Sequence, residues 1–471
     1  MNRRLEVATL VCALVFALAL VGLAASAQAA SKTPRLTGLR CVPTTAKACR
    51  NGIRVTVGKQ LQVRGRNLKR GMRVSFRWPK GALAAKLVRS GRAGWTVRVP
   101  AGTALGKVAV TVRDGAGRRS NKRSIRVIAS APLPPLTAGV RPTHPALPAV
   151  FAGNGMWIWY VNKSEGGNLD AIALRAKAAG MSTVYVKSAD GGTVWSQFTP
   201  RLVADLHARG LRVCAWQFVY GADPIAEARA AAASVAAGAD CFVIDAETKY
   251  EGRYAAAQRY IVALRAAIGP DYPVGFTSFP YVDFHPRLPY SVFLGPGGAQ
   301  ANMPQVYAKA IGGSVDAVSA KTVAQNRIYG TPMAPLGQSY DSPSAADLRR
   351  FRAVWAGYGA GGLSWWSWQS TGNAAWTTLT EPPPAAAALP DPGWPALTKG
   401  SSGDQVIWLQ QHLASADPSV ALDGKFTTAT QTALKAFQTA RGLPPTGATD
   451  AATWQALLTV PLRPVDWTAA Q

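Results

Sequence analysis

Eight short apolar segments, most of them followed by a segment with helical periodicity, occupy the middle of this 471-residue chain. The predicted strands are residues 156–160, 183–187, 213–218, 242–247, 274–279, 303–307, 333–336 and 363–368. The predicted helices are residues 169–179, 200–209, 224–237, 254–268 and 345–358. Strands that are apolar on both faces and alternate with helices form parallel sheets covered on both sides. Eight repeats within residues 151–381 favour closure into a (β/α)8 TIM barrel over an open sheet.

Two proline-rich segments separate this module from the rest of the chain. Residues 131–150 contain six prolines, and residues 382–394 are rich in proline and alanine. Such stretches form stiff, extended linkers. The chain is therefore predicted to be multidomain, with one further domain on each side of the barrel.

Residues 36–130 contain short segments in which apolar and polar residues alternate. The alternation covers residues 53–57, 61–63, 74–76, 95–99 and 108–112, with glycine-containing turns between them. A period of two is typical of half-buried strands, and the short spacing predicts an all-β sandwich. The segments 63–68 and 108–118 resemble immunoglobulin-like folds of the IPT/TIG type, which implies a spacer or an adhesion module.

The positive charge of the chain is concentrated in the same domain. The whole chain has a net charge of +28, and residues 31–130 contain 25 Lys and Arg but a single acid, Asp114. Such a polycation attracts polyanions. In an exported protein we expect anionic wall polymers or anionic lipid surfaces as its partner, and no nucleic acid.

Residues 1–29 have the pattern of a secretory signal peptide. Arg3 and Arg4 precede an apolar run over residues 7–25, and Ala27-Gln28-Ala29 is a small-x-small cleavage site. A retained membrane anchor is the alternative, because the run approaches the length of a span. Cleavage would leave a secreted or wall-associated protein without a transmembrane segment.

The cysteines and histidines bear on redox state and metal binding. Cys41 and Cys49 lie eight residues apart, and we expect them to form a small disulfide loop in an exported protein. Cys214 and Cys241 lie in apolar segments interpreted as neighbouring strands, where buried free thiols are expected. The four histidines lack ligand spacing, so we predict no metal site and no cofactor.

Chemistry in such barrels lies at the carboxyl ends of the strands. The segment 242–247 ends with Asp245 and Glu247, which point the same way because they are two residues apart on a strand. Two acids so close push their pKa values apart, and one can stay protonated as a general acid. Buried acids that bond to neighbouring loops are the alternative.

Other strand ends carry residues that could line the same cleft. Tryptophan faces can stack on sugar rings, although about half of these side chains are expected to be core. The tryptophans on predicted strands are Trp157, Trp159, Trp216, Trp365, Trp366 and Trp368. The polar candidates are Asp190, Gln305 and Tyr307. Less favoured polar candidates are Lys187, Gln217, Asp283, His285 and Asp341.

Three of these strand ends resemble glycoside hydrolases of the chitinase type (family 18) and the lysozyme type (family 25). The resemblance lies in Asp245-x-Glu247, Met303-Pro-Gln305-Val-Tyr307 and Gly362-Leu-Ser-Trp365-Trp366-Ser-Trp368. It implies that Glu247 donates a proton to the glycosidic oxygen, that Asp245 assists, and that Tyr307 supports the acetamido group of the substrate. That N-acetyl group could then serve as the nucleophile.

Two positions depart from those families. Residues 240–247 match the chitinase pattern D-x-x-D-x-D-x-E at Asp240, Asp245 and Glu247, but Val243 occupies the position of the middle Asp. The lysozyme type has an Asp on its first strand, and residues 155–160 contain none. The resemblance therefore covers the fold and one acidic pair.

Residues 395–461 resemble the peptidoglycan-binding domain (type 1) along their whole length. The matching residues are Leu397, Gly400, Gly403, Val406, Leu409, Gln410, Leu413, Asp423, Gly424, Phe426, Thr430, Ala433, Leu434, Phe437, Gln438, Gly442, Leu443, Thr446, Gly447, Asp450, Thr453, Trp454 and Leu457. Apolar stripes at helical spacing, with Gly442 as a C-cap residue and Asp450 as an N-cap residue, predict a small three-helix bundle. The resemblance implies peptidoglycan as the partner.

These observations predict a secreted, peptidoglycan-binding glycosidase that cleaves N-acetylated wall glycan, with linkers that let the barrel search nearby glycan. The alternative is a non-enzymatic wall-binding protein whose barrel is a lectin-like or scaffold domain. An amidase or peptidase lacks its metal or nucleophile residues in this sequence.

Overall fold

The computed structural model describes residues 33–42, 54–56, 60–79, 81–85, 87–91, 94–100, 103–128, 146–463 and 465–469. The chain divides after Ala131 into two compact units. The predicted signal peptide, Cys49 of the predicted disulfide loop and most of the first proline-rich segment lie outside the described residues. Among the described helices, none has the length and apolar character needed to cross a bilayer.

The first unit consists of two β-sheets that share one hydrophobic core. Its strands are β1 (Arg35–Val42), β2 (Arg54–Thr56), β3 (Gln60–Arg66), β4 (Arg73–Trp78), β5 (Gly81–Ala84), β6 (Leu87–Gly91), β7 (Gly94–Arg98), β8 (Gly106–Arg113) and β9 (Arg123–Ile128). The sheet orders are β1-β3-β7-β6 and β2-β9-β8-β4-β5. Leu61 and Val97 of one sheet pack in the same core as Phe76 and Val110 of the other. The predicted all-β sandwich is confirmed, and its likeness to the IPT/TIG type stays a prediction.

The second unit contains a parallel sheet that closes on itself. Its strands are β10 (Gly153–Ile158), β11 (Met181–Asp190), β12 (Thr193–Val194), β13 (Arg212–Val219), β14 (Cys241–Ala246), β15 (Val274–Thr277), β16 (Ala301–Asn302), β17 (Gln305–Val306), β18 (Leu336–Gln338) and β19 (Gly362–Trp366). β16 pairs with β15, and β17 pairs with β18. Because β16 and β17 are the two halves of one strand, interrupted at Met303 and Pro304, they close the ring of eight. The predicted (β/α)8 barrel is confirmed.

Helices cover the outside of the barrel. They are α1 (Leu169–Ala178), α2 (Pro200–Ala208), α3 (Pro224–Ala236), α4 (Tyr254–Ile268), α5 (Tyr290–Phe293), α6 (Ala308–Ile311), α7 (Val315–Asn326), α8 (Ala345–Gly357) and α9 (Asn373–Leu379). Asp223 caps α3 by accepting a hydrogen bond from the Ala226 amide, and Pro224 occupies the first turn. The five predicted helices are confirmed within one residue at each end. At the fifth position the chain forms only one helical turn, α5.

The sequence-based expectation of free thiols at Cys214 and Cys241 is wrong. The two residues lie directly opposite each other on the parallel strands β13 and β14, with 4.6 Å between their Cα atoms, and they form a disulfide. Both are fully buried in the barrel interior. Side chains at paired positions of adjacent strands point to the same side of the sheet, which brings the two sulfurs together.

Replacing both cysteines with alanine is expected to destabilise the second unit by about 3–4 kcal/mol, because the bond closes a loop across 27 residues. Chemical denaturation of the double variant and of the wild type measures the difference. Non-reduced peptide mapping of the wild type should recover the Cys214 and Cys241 peptides linked. Recovery of those peptides as free thiols would contradict the assignment.

The C-terminal segment forms the predicted three-helix bundle. Its helices are α10 (Asp404–Ala416), α11 (Thr428–Ala440) and α12 (Ala451–Leu458). Asp450 caps α12 by accepting a hydrogen bond from the Thr453 amide, and Gly442 follows α11 with a φ of 68°. Both cap positions therefore agree with the sequence prediction.

The bundle packs on the barrel over the short helix α5. The carboxylate of Asp404, the first residue of α10, is completely buried and accepts hydrogen bonds from the Ser291 amide (2.8 Å), the Ser291 hydroxyl (2.6 Å) and the Tyr329 hydroxyl (2.8 Å). One turn further along, the Trp408 indole donates to the Ile328 carbonyl at 2.6 Å. The missing length of the fifth barrel helix is thus replaced by α10.

The chain on either side of the bundle also lies against the barrel. Residues 382–394 form neither helix nor strand, and they lie against the barrel: the Ala387 amide donates to the Ala353 carbonyl of α8, and the Arg327 guanidinium lies 4.1 Å from the Trp394 ring. After the bundle, Trp467 packs on Tyr254 of α4 with 4.8 Å between ring centroids. The expectation that this second linker lets the barrel move independently of the bundle is wrong for this structure.

Candidate active site at the mouth of the barrel

Two carboxyl groups lie side by side where β14 ends. Asp245 is 5% exposed, and Glu247, the residue after the strand's last alanine, is half-buried. The side-chain amide of Gln305, from β17, reaches across from the sixth strand. Its Nε2 atom lies 3.0 Å from Glu247 Oε1 and 3.4 Å from Asp245 Oδ1. The closed barrel therefore brings Gln305 into contact with two carboxyl groups that lie about 60 residues earlier in the sequence.

Asp245 is the member of this pair whose pKa is raised by its surroundings. Burial raises the pKa of Asp245 well above its ordinary value, and the negative charge of Glu247 raises it further. The ammonium of Lys187 opposes this rise. The hydrogen bond between the two carboxyl groups raises the pKa of Asp245 as well.

Lys187 is a buried cation beside the acidic pair. It is 1% exposed, at the end of β11, and its Nζ lies 2.8 Å from Asp190 Oδ2. The same Nζ lies 4.5 Å from the ring centroid of Trp216 and 4.8 Å from that of Trp159. Asp190 also accepts a hydrogen bond from the Tyr220 hydroxyl at 2.7 Å. The carboxylate of Asp190 and the aromatic faces thus surround the ammonium in this buried position.

The predicted sugar-stacking tryptophans separate into two groups. Trp159 is 36% exposed and Trp366 is half-buried, and their ring centroids are 5.6 Å apart at the mouth. Trp216 lies beneath both and is 1% exposed. Trp157 is fully buried in the barrel interior, and Trp368 stacks on Trp376 in the helix layer. Trp157 and Trp368 are therefore core residues, and Trp159 and Trp366 are the two that offer ring surface.

Tyr307 follows β17 and extends the mouth on the side of Gln305. Burial raises the pKa of Tyr307 well above its ordinary value, as do the nearby Asp245, Tyr340 and Glu247. Its ring packs edge-on against Tyr340 at 5.4 Å. The phenol therefore stays protonated and can act as a hydrogen-bond donor.

Apart from Lys187, the less favoured candidates lie outside this cluster. Gln217 is buried behind the sheet, where it bonds to Gly191, Glu227 and Tyr260. His285 faces Glu251 at 3.4 Å, Asp283 pairs with Lys321, and Asp341 lies near Lys309. Asp240, the first acid of the motif, binds the Val213 amide and His207. These contacts account for the side chains as structural or loop residues.

Lys187 and Tyr220 are the residues of this site that sequence reasoning undervalues or misses. A lysine at the end of a strand is ordinarily exposed, and its burial depends on aromatic residues from three other strands. One signal was present: Lys187 is two residues after Tyr185, which faces the barrel interior, so the strand period places both on the inner face. Among the described residues, no group of His, Cys, Asp and Glu has a metal-binding arrangement.

The comparisons with known proteins support the C-terminal module directly. Residues 402–457 match the family model described as "Putative peptidoglycan binding domain". The C-terminal bundle is thus a peptidoglycan-binding domain, as predicted for residues 395–461. A search of curated proteins finds no match to this chain.

Several solved structures are similar to the barrel. A chitinase from Chromobacterium violaceum is 12% identical, with 48% of this chain and 98% of that chain covered and a TM-score of 0.37. The spore cortex-lytic enzyme SleL from Bacillus cereus is 10% identical, with 55% of this chain and 76% of that chain covered and a TM-score of 0.36. The catalytic domain of a hyperthermophilic chitinase from Pyrococcus furiosus is 13% identical, with 51% of this chain and 95% of that chain covered and a TM-score of 0.38. At this level of similarity the function has to be argued from the residues of the mouth.

Proposed function

We propose that this protein is an exported, wall-associated glycoside hydrolase that cleaves N-acetylated wall glycan. One observation carries the proposal: the buried carboxyl group of Asp245, whose pKa is raised, lies beside a half-buried Glu247 at the carboxyl end of a barrel strand, and both contact Gln305. A buried acid that only stabilised the fold would have no need of a second carboxyl group facing the solvent-accessible mouth.

Glu247 is the proton donor in this proposal. It donates a proton to the glycosidic oxygen as the bond from that oxygen to the anomeric carbon breaks, and the leaving sugar departs with that proton. Asp245 first passes this proton to Glu247 across the contact between the two carboxyl groups, and takes a proton back from Glu247 at the end of the cycle. Gln305 keeps Glu247 oriented through the 3.0 Å contact of its amide.

The nucleophile is the carbonyl oxygen of the substrate's own N-acetyl group, which bonds to the anomeric carbon. Water then attacks that carbon, the bond from the anomeric carbon to the carbonyl oxygen breaks so that the N-acetyl group is restored, and Glu247 takes a proton from this water. The Tyr307 hydroxyl is a donor near Asp245 and orients the acetamido group. Trp159 and Trp366 supply faces on which sugar rings stack.

Replacing Lys187 with methionine is expected to move the alkaline limb of the kcat/KM profile to higher pH. The ammonium lowers the pKa of Asp245, so its removal lets the acidic pair keep the proton to a higher pH. The profile on a soluble N-acetylated oligosaccharide measures the shift. Lys163→Met is the matched control, because Lys163 is exposed and its Nζ lies 4.7 Å from the ring centroid of Tyr160. An unchanged alkaline limb in Lys187→Met would contradict this role.

The C-terminal bundle holds the enzyme on peptidoglycan and raises the local concentration of glycan at the mouth. Because the bundle packs on the barrel through Asp404 and Trp408, it presents the mouth to the wall in one orientation. The positioning is rigid rather than a search on a loose tether.

A non-enzymatic wall-binding protein is the alternative, and Val243 in place of an inner acid favours it. Incubation of the wild type with purified sacculi and with chitin oligomers, followed by an assay for new reducing ends, separates the two functions. We expect new reducing ends on at least one substrate. Binding to sacculi without any product on either substrate would refute the hydrolase and leave the binding protein.

A further inference from the structure

One face of the first unit carries a group of cationic side chains. Along β4, β8 and β9, buried residues such as Val74, Val110 and Val127 alternate with exposed residues on the opposite side of the sheet. The outward positions of the five-stranded sheet carry Arg54, Arg73, Arg77, Lys107, Arg113 and Arg126, which we call the basic face. All six are exposed side chains on strands of a single sheet.

The strand register sets these charges directly against one another. Arg126 of β9 pairs with Lys107 of β8 on one side and with Arg54 of β2 on the other, which forms a row of three cations across three strands. Arg73 of β4 pairs with Arg113 of β8. Like charges at directly opposed positions destabilise a sheet. The arrangement therefore costs folding stability unless anions lie over it.

The domain has no acid of its own to neutralise this face. Asp114 is the single acid in residues 31–130, and Arg118 holds it at 2.8 Å. Residues 31–130 therefore contain no second acid that could offset the charge of the basic face. Net charge of one sign over a surface raises the local concentration of an oppositely charged partner.

The side chains between the cations are small. Ser75, Ala109 and Thr111 are half-buried, and Ser124 is exposed, at outward positions of β4, β8 and β9. Such residues leave a flat surface on which an extended chain can lie across the strands. A flat surface of this kind suits a linear polymer better than a small anion, which is bound in a concave site.

We propose that the basic face binds an anionic cell-wall polymer whose repeating unit carries a phosphodiester. Five of the six cations are arginines, whose planar guanidinium groups match phosphate oxygens with paired hydrogen bonds. The peptidoglycan-binding domain in the second unit brings the chain to the wall, where such polymers are attached. The proposal rests on wall binding and not on the proposed hydrolysis.

The test uses the full chain and a triple substitution, Arg73→Ser with Lys107→Ser and Arg126→Ser. The matched control removes the same charge from the second unit, as Lys177→Ser with Arg201→Ser and Arg229→Ser. Binding is measured on walls that carry phosphodiester polymers and on the same walls after hydrofluoric acid has stripped those polymers. Thermal unfolding checks folding, and the triple variant should be no less stable than the wild type because it removes opposed like charges.

We expect the triple variant to bind intact walls at least about tenfold more weakly than the wild type and the control, with a shallower salt dependence. On stripped walls all three proteins should bind equally, through the C-terminal domain. Equal binding of wild type and triple variant to intact walls would overturn the proposal. A triple variant that loses binding only to phosphatidylglycerol vesicles, or only to duplex DNA, would also overturn the proposal, because the basic face would then be a lipid-binding or nucleic-acid-binding surface. Release of reducing ends from soluble oligomers should be unchanged in the triple variant. A failure of the proposed polymer binding is therefore distinguishable from a failure of the proposed hydrolysis.

Discussion

Glu247→Gln is expected to lower the rate of glycan hydrolysis by about 10²–10⁴-fold while leaving binding to sacculi intact. The amide keeps the size of the side chain and its contact with Gln305, but it cannot donate a proton to the glycosidic oxygen. Rates are measured as new reducing ends from N-acetylated oligosaccharide, and binding as sedimentation with sacculi.

Glu251→Gln is the matched control for this substitution. Glu251 is four residues further along the same loop and faces His285 and Arg287 rather than the pair with Asp245. It should retain wild-type rates. A Glu247→Gln variant with wild-type activity would rule out Glu247 as the acid.

Asp404→Ala is expected to lower the free energy of unfolding of the second unit by about 3–5 kcal/mol. The substitution leaves the Ser291 amide, the Ser291 hydroxyl and the Tyr329 hydroxyl without an acceptor in a buried interface, and each such group costs about 1–3 kcal/mol. Chemical denaturation measures the change. Asp417→Ala, an exposed acid after the same helix, is the control and should cost less than about 1 kcal/mol. Equal stability of the two variants would show that the bundle does not depend on this contact.

The same carboxyl group makes a prediction about pH. Burial raises the pKa of Asp404 to about 6, although its hydrogen bonds oppose the rise. A raised carboxyl pKa means that the folded state binds the proton more tightly than the unfolded chain, so stability is lost as pH rises from about 4 through about 6. Relative to Asp404→Asn, the wild type should lose about 2–3 kcal/mol of unfolding free energy between pH 4 and pH 7. Parallel pH profiles of the two proteins would contradict this assignment.

The barrel could be predicted from the sequence because its signals are local. Residues 242–247 were expected as a strand and form Cys241–Ala246, and residues 254–268 were expected as a helix and form that helix. Apolar runs, a capping Asp223 and the helical spacing of the C-terminal stripes are each contained within about fifteen residues. The pairing of Asp245 with Glu247 followed from the two-residue period of a strand.

Features that depend on register or on packing between distant segments could not be predicted. The disulfide depends on which residues of β13 and β14 lie opposite each other, and nothing local distinguishes Cys214 from a buried thiol. Trp157 and Trp159 are two residues apart, so both side chains point to the interior of the barrel. Trp157 is buried and Trp159 is exposed because they lie at different depths in the barrel. In the sequence, Asp404 is an ordinary acid in the first turn of a helix. It is buried in an interface because α10 packs over the short helix α5.

The placement of α10 over α5 also bears on inheritance. Small wall-binding domains can be passed between enzymes by gene fusion when a linker keeps them apart from their neighbours. Here a recombination event that removed residues 395–461 would uncover Ser291, Tyr329 and the apolar surface around them. A barrel passed on without its bundle would therefore carry an exposed apolar surface, unlike a domain that a linker holds apart from its neighbours.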